Sequence, residues 1–395
     1  MMVGPFRIAA LSTDAFPGHE VAHHQPLNTL QALQGRGHQV SMTMGLRPDH
    51  LGMTAEALSA FYAQTPSLHL EPAGVRKGGW HILNQAALAW HLTGLPIARA
   101  ADIILTRKME VVIAAVARGL PVLYDHYRPW PDQYPLLNPL LRTVMRRSAY
   151  KGALLHSDMA AQGFARAGIA EGKCHVVHNG FDAAPFATVL TTGSARAALG
   201  LAPRSPVALY AGRITATKGL DQILAMAWRA PEVQFWLVGA AGTETFVQEA
   251  QAVPNVCLFP WVAAETLPIW LQAADVLLIP PAAAPLVRHG GTVLPAKTFP
   301  YLAAGRPILA PDLPDTRGVL VDGECARLVP SDDPDTAVAA LRALLAHPEL
   351  ASRLGEQARK TAQRFTWDAR AQRIEAIIAR ALARPDLSPN GGVTP

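Results

Sequence analysis

The sequence predicts an α/β protein of two doubly wound parallel-sheet domains, and three observations predict it. Short, apolar, β-prone runs alternate with runs of helical spacing along the whole chain, which is the pattern of parallel sheets covered by helices on both faces. The 395 residues are too many for one ordinary core, so two domains of somewhat under ~200 residues each are expected. Between the two series of runs, residues 182–206 hold prolines among small polar residues, the composition of a linker.

The first domain, 1–187, takes its strands from 6–12, 39–44, 102–106, 121–125, 152–156 and 174–178. Each is short and apolar, as a strand buried on both faces must be. After the linker, 188–205, the second domain at 206–364 repeats this grammar with strands at 206–211, 233–239, 256–259, 275–279, 307–310 and 326–329. No sequence repeat accompanies the architectural one. Residues 365–383 read as a long closing helix, with Trp367, Ile374, Ile377, Ile378 and Leu382 near one side, expected to pack back toward the first domain. The Pro- and Gly-containing stretch 384–395 reads as a flexible tail.

Composition excludes several classes of function. Half of the residues are hydrophobic and 16% are charged, which fits a well-buried enzyme and not a disordered or fibrous chain. Cys174, Cys257 and Cys325 are odd in number and far apart, suggesting neither a disulfide framework nor a zinc site, and hence a reducing compartment. The apolar run near the amino terminus is broken by Asp14 too early for a signal peptide, and no run reaches the ~18 apolar residues of a membrane span. A cytoplasmic protein is therefore expected. The net charge of +5 and pI near 9.2 fit anionic ligands. Residues 140–151 mix apolar and basic side chains at helical spacing, as a helix resting on anionic headgroups at the inner face of a membrane would; a solvated helix face reads the same way. The basic residues are otherwise dispersed and no nucleic-acid module is present, so no nucleic-acid partner is expected.

Doubly wound sheets bind ligands outside the carboxyl ends of their strands, so chemistry is expected in the strand-to-helix loops. The loop from Ala211 through Gly212, Arg213 and Lys218 to Gly219 follows an apolar strand and runs into a helix. Two fixed cations beside unpaired helix N–H groups suit a diphosphate; two surface cations on an ordinary loop would look alike. Gly239 ends the next strand and lets a ligand approach the backbone, or simply serves a turn. Val262, after Phe259-Pro260-Trp261, offers apolar atoms to a planar base or to the core. His289, Gly290, Gly291, Thr292 and Val293 offer bare amides and a hydroxyl as an anion nest. Lys297 to Ala304 read as a short helix closed by Gly305 and restarted as a strand by Pro307.

Taken in order, Gly-Arg-x4-Lys-Gly from Gly212, Val238-Gly239, Phe259-x-x-Val262 and Lys297-x3-Tyr-Leu-Ala-Ala-Gly-x-Pro-Ile resemble the nucleotide-sugar-binding half of the large retaining glycosyltransferase family known as family 4. His178-Asn179-Gly180-Phe181-Asp182 with Phe186, Gly35-Arg36-Gly37-His38-Gln39-Val40 and Phe365-Thr366-Trp367 are similar to further family segments, so that the resemblance covers nearly the whole chain to Ala383.

The resemblance implies a GT-B fold, two facing Rossmann-like domains with a cleft between them, the first holding the acceptor and the second the nucleotide sugar. It implies a retaining transfer in which Arg213 and Lys218 stabilise the leaving diphosphate while a leaving-group oxygen takes the acceptor's proton. His126, after Asp125 at a strand end, matches a histidine facing the donor sugar. Gly212, Gly239, Val262, His289, Gly290, Gly291, Thr292, Val293 and Pro300 fall at donor positions, and Gly18 and His19 in the acceptor-side loop. The implied partners are a nucleoside-diphosphate sugar as co-substrate and a lipid-linked or cell-envelope glycan as acceptor. No convincing Asp-x-Asp motif is present, since Asp332-Asp333-Pro334-Asp335 reads better as a loop and N-cap; no metal and no other cofactor are expected.

The chain also departs from the family. Where many members carry two glutamates separated by seven residues, it has Thr292 and Pro300. Pro300 can neither accept through a side chain nor donate through its nitrogen. The second of these glutamates commonly accepts hydrogen bonds from the ribose in the family, and the resemblance implies that its loss would weaken donor binding by roughly 1.5–3 kcal/mol unless another group substitutes. A glycosyltransferase-like binding or scaffold protein is therefore the competing expectation. A nucleotide-sugar epimerase is a third, without identifiable acid–base carboxylates.

Overall fold

Among the described residues of the computed structural model, which are 4–18, 21–62, 69–74, 81–203, 205–215, 218–239, 244–283 and 294–383, the strands form one seven-stranded and one six-stranded sheet. All of the pairings are parallel. The two sheets belong to separate units. Met1–His156, Ala160–His178 and Trp367–Pro395 make the first, and Ser157–Met159 with Asn179–Thr366 the second.

In the first unit, β1 (Arg7–Phe16), β2 (Gln39–Leu46), β3 (His69–Gly74), β4 (Ile103–Thr106), β5 (Val122–His126), β6 (Tyr150–Leu155) and β7 (Cys174–Val176) lie in the order 3-2-1-4-5-6-7. The chain walks outward from β1 to β3, then returns to the other side of β1 at β4. Side chains alternate across the sheet. Ile8, Ala10, Ile103 and Leu105 enter one core cluster, while Leu11, Ile104, Val122 and Tyr124 enter another. The final helix, Trp367–Ala383, belongs to this unit and buries Ile374, Ile377 and Ile378 in the first of these clusters.

In the second unit, β8 (Val207–Ala211), β9 (Gln234–Val238), β10 (Val256–Phe259), β11 (Val276–Leu278), β12 (Ile308–Pro311) and β13 (Arg327–Val329) lie in the order 10-9-8-11-12-13. Val207, Leu209 and Ala211 pack against Phe299, Tyr301 and Leu302, while Ala208 and Tyr210 pack on the opposite face with Ile223 and Met226. Strands buried on both faces read as continuous apolar runs. That is why β8 and β9 are plain in the sequence.

Three differences from the sequence expectations have physical causes. The edge strand β3, His-Leu-Glu-Pro-Ala-Gly, was not expected; it is polar and carries Pro72 at the sheet edge, where a missing N–H is tolerated. Strand β1 runs past Ser12 to Phe16 through an irregularity between Ser12 and Ala15. The basic segment 140–151 is not one helix: the helix Asn138–Arg146 ends at Arg147, whose backbone is extended, and Tyr150 is a buried residue opening β6. No described helix is long and apolar enough to cross a membrane. The tail 384–395 lies outside the described residues.

Candidate functional site

In each sheet the strand order reverses at one point, between β1 and β4 and between β8 and β11, and the carboxyl ends of strands at such a reversal form a ligand-binding crevice. In the second unit that place is the loop after β8. Gly212 donates its N–H to Val238 O at 2.8 Å, and Gly239 donates to Phe259 O at 3.1 Å. Their φ angles are +144° and +154°, which L side chains rarely adopt. A Cβ on Gly239 would stand 1.9 Å from Gly212 O. Gly239 is therefore required by the close approach of two strand ends, and Gly212 by its backbone angle.

Two tyrosines hold this loop. The Ala211 N–H donates to Tyr301 Oη at 2.7 Å, and Tyr210 Oη donates to Arg213 O at 2.9 Å. Ile214 is buried at 1% exposure, anchoring the turn in the core, while Arg213 and Lys218 on either side of it are exposed. The helix Leu220–Arg229 begins after Gly219, which adopts φ +70°. An anchored backbone, two exposed cations and a helix amino terminus thus follow β8 in succession, an arrangement able to take an anion of diphosphate size.

Elsewhere in this unit the expected residues divide. Val262 is half-buried and packs against the core; the exposed apolar group beside it is Trp261, at 68%. His289, Gly290, Gly291, Thr292 and Val293 lie outside the described residues. Pro300 is the third residue of the helix Thr298–Ala304, where a helix has no intrahelical use for the N–H that proline lacks. Asp333 accepts from Thr336 N at 3.0 Å and caps the helix Pro334–Ala346, and no cluster of three potential metal ligands occurs among the described residues. Two residues of this site carried no assignment from the sequence. Tyr301 anchors β8, and Lys297 places Nζ 3.3 Å from the centroid of the Tyr210 ring. Their i, i+4 spacing across the start of one helix was the available signal.

In the first unit the loop after β1 contains Gly18, whose N–H donates to Tyr62 Oη at 2.8 Å and whose absent side chain makes room for the His23 ring. His19 lies outside the described residues. At the end of β5, His126 stacks on Tyr124 with centroids 5.0 Å apart. Both of its ring nitrogens are buried and without hydrogen-bond partners among the described residues. Burial, reinforced by the charge of Arg107, holds its pKa well below the ordinary histidine range, so it is a neutral ring with an acceptor and a donor to offer.

Behind it lies a buried ionic network. Asp125 Oδ1 accepts from His156 Nε2 at 2.7 Å and from Arg370 at 2.8 Å. Arg370 is 2% exposed and also donates to the carbonyls of Val177 and His178 and to Thr29. Burial raises the Asp125 pKa, but Arg370 and then His156 oppose it and leave the carboxyl well below its usual range. Burial dominates at His156, whose pKa falls to about 4 in spite of the carboxylate.

Residues 192–361 match the family model described as glycosyl transferases group 1. The chain is 32% identical over 231 residues to a D-inositol 3-phosphate glycosyltransferase of Xylanimonas cellulosilytica, covering 54% of this chain and 52% of the relative. It is also 32% identical over 214 residues to an alpha-maltose-1-phosphate synthase of Mycobacterium tuberculosis, covering 49% and 53%. The chain thus spans about half the length of the curated relatives it matches. Among solved structures, Anabaena HepE in complex with UDP superposes with a TM-score of 0.75 at 16% identity, over 95% of this chain and 100% of that one. Sucrose-phosphate synthase from Thermosynechococcus elongatus gives 0.74 at 17% identity, over 95% and 99%. The likeness to these structures establishes a GT-B type fold of two Rossmann-like parallel-sheet units.

Proposed function

We propose that the chain, whose residues 192–361 match the group 1 glycosyl transferases, is an enzyme moving a sugar from a nucleoside-diphosphate sugar to a lipid-linked or cell-envelope glycan. The observation that carries this reading is the loop after β8. There the backbone is locked by Gly212, Gly239 and Tyr301, with exposed Arg213 and Lys218 beside a helix start. A leaving diphosphate gains negative charge as its bond to the sugar breaks, and fixed cations stabilise that charge without reorganising. In this reading no metal is required, the acceptor's proton passes to a leaving-group oxygen, and the sugar keeps its anomeric configuration. One ring nitrogen of neutral His126 hydrogen-bonds a sugar hydroxyl in this reading, an assignment made on the sequence pattern. The amides of 290–292 are assigned to the phosphate or the sugar on the strength of the sequence pattern alone.

Purified protein incubated with UDP-, GDP- and ADP-sugars and lipid extracts is expected to transfer sugar from one donor. Arg213→Ala and Lys218→Ala are each expected to weaken nucleoside diphosphate binding by roughly 10- to 100-fold, measured by calorimetry, without lowering the melting temperature. Unchanged affinity would remove both residues from the site. Pro300 supports a second reading, a binding or scaffold protein that keeps the diphosphate loop without turnover; tight nucleotide binding with no transfer from any donor would favour it.

A cytoplasmic place at the inner face of an anionic membrane completes the proposal. Its support lies just before and within the helix Asn138–Arg146. Leu136 is 94% exposed, Leu137 and Leu140 are exposed apolar neighbours, and Arg146 and Arg147 are exposed cations.

A further inference from the structure

Lys297 has no carboxylate partner among the described residues. It precedes the helix Thr298–Ala304 and is half-buried, with Nζ against the face of Tyr210 and 3.0 Å from where a side chain on Gly212 would begin. Burial, and then the charge of Lys218, hold this ammonium well below the ordinary lysine range, and no carboxylate figures among the groups acting on it. A ring face only partly replaces the water that the ammonium gives up. A second cation nearby adds repulsion, and a bound anion would relieve it and restore the ammonium. The position is also well defined, because the helix that begins after Lys297 anchors β8 through Tyr301.

We infer that Lys297 is a third cation of the diphosphate site, donating from Nζ to the phosphate oxygens that Arg213 and Lys218 attract at Gly212. This rests on the donor reading above and adds to it a residue one helical turn ahead of Pro300. The helix start that lacks a carboxylate for ribose thus supplies an ammonium for phosphate.

Calorimetry with UDP, GDP, ADP and inorganic pyrophosphate tests it on the full chain. Lys297→Met keeps the apolar stem over Tyr210 and removes the charge. It is expected to weaken the diphosphate that wild type binds by about tenfold or more, to weaken pyrophosphate likewise, and to leave the melting temperature of the free protein equal or higher. A purely structural lysine would give the reverse: a lower melting temperature with unchanged affinity in the folded fraction. Lys297→Arg, which restores charge, is expected to recover part of the affinity. If Arg213→Ala weakens binding and Lys297→Met does not, the inference about Lys297 is wrong and the donor reading stands. If wild type binds none of the four probes, the donor reading falls and takes this one with it.

Discussion

At the scale of single residues, Pro300 is the most informative position in the second unit. It sits in the first turn of its helix, where an acidic side chain would be favoured by the helix dipole and by unpaired N–H groups. Pro300→Glu is therefore expected to cost little stability. If ribose has no other partner, it tightens nucleoside diphosphate binding by roughly 1.5–3 kcal/mol. Calorimetry decides this, and equal affinities would mean that another group already holds the ribose. The glycines were legible for a simple reason: Gly212 and Gly239 end apolar strands, and a strand followed by glycine announces a close backbone approach. Lys297 was not legible in the same way. Its seat on Tyr210 joins residues 87 positions apart in sequence, and only the folded sheet brings them together.

At the scale of elements, the amino-terminal sheet depends on a cation delivered by another element. Arg370 of the helix Trp367–Ala383 neutralises Asp125 at the end of β5, and removing one partner of a buried pair leaves an uncompensated charge. Arg370→Met is expected to destabilise the first unit by roughly 3–5 kcal/mol, read from urea midpoints at pH 7. Acid acts on the same network. His156 is held neutral with a pKa near 4, below the ~6.5 of an unfolded histidine, so the unfolded chain takes up the proton first. Stability is full above about pH 6.5 and falls as pH drops toward 4. The depressed Asp125 adds a loss of the same sign below the ordinary aspartate range, about pH 4. A urea midpoint at pH 5 equal to or above that at pH 7 would contradict this assignment. None of the network was visible in the sequence, because Arg370 looks like one arginine among several on a polar helix face. The edge strand β3 was hidden for the opposite reason: it lacks the apolar run by which the inner strands declare themselves.

At the scale of the whole molecule, a net charge of +5 and the exposed leucines and arginines of residues 136–147 predict attraction to anionic bilayers. Sedimentation with phosphatidylglycerol vesicles is expected to carry the protein down, and phosphatidylcholine vesicles to leave it in solution. Leu136→Asp with Leu140→Asp is expected to abolish the difference; binding that survives these changes would place the contact elsewhere. The large-scale architecture was legible because it repeats one rule, an apolar strand followed by a helix, in both halves. The path of the chain between the units has a consequence for synthesis. A ribosome releases all of Ser157–Met159 and Asn179–Thr366 before Arg370, Ile374, Ile377 and Ile378 emerge, so the second unit holds its full complement of residues while the first still lacks a helix that helps to cover one face of its sheet. Domains commonly mature in the order of translation; here the half that is made first is the last to be finished.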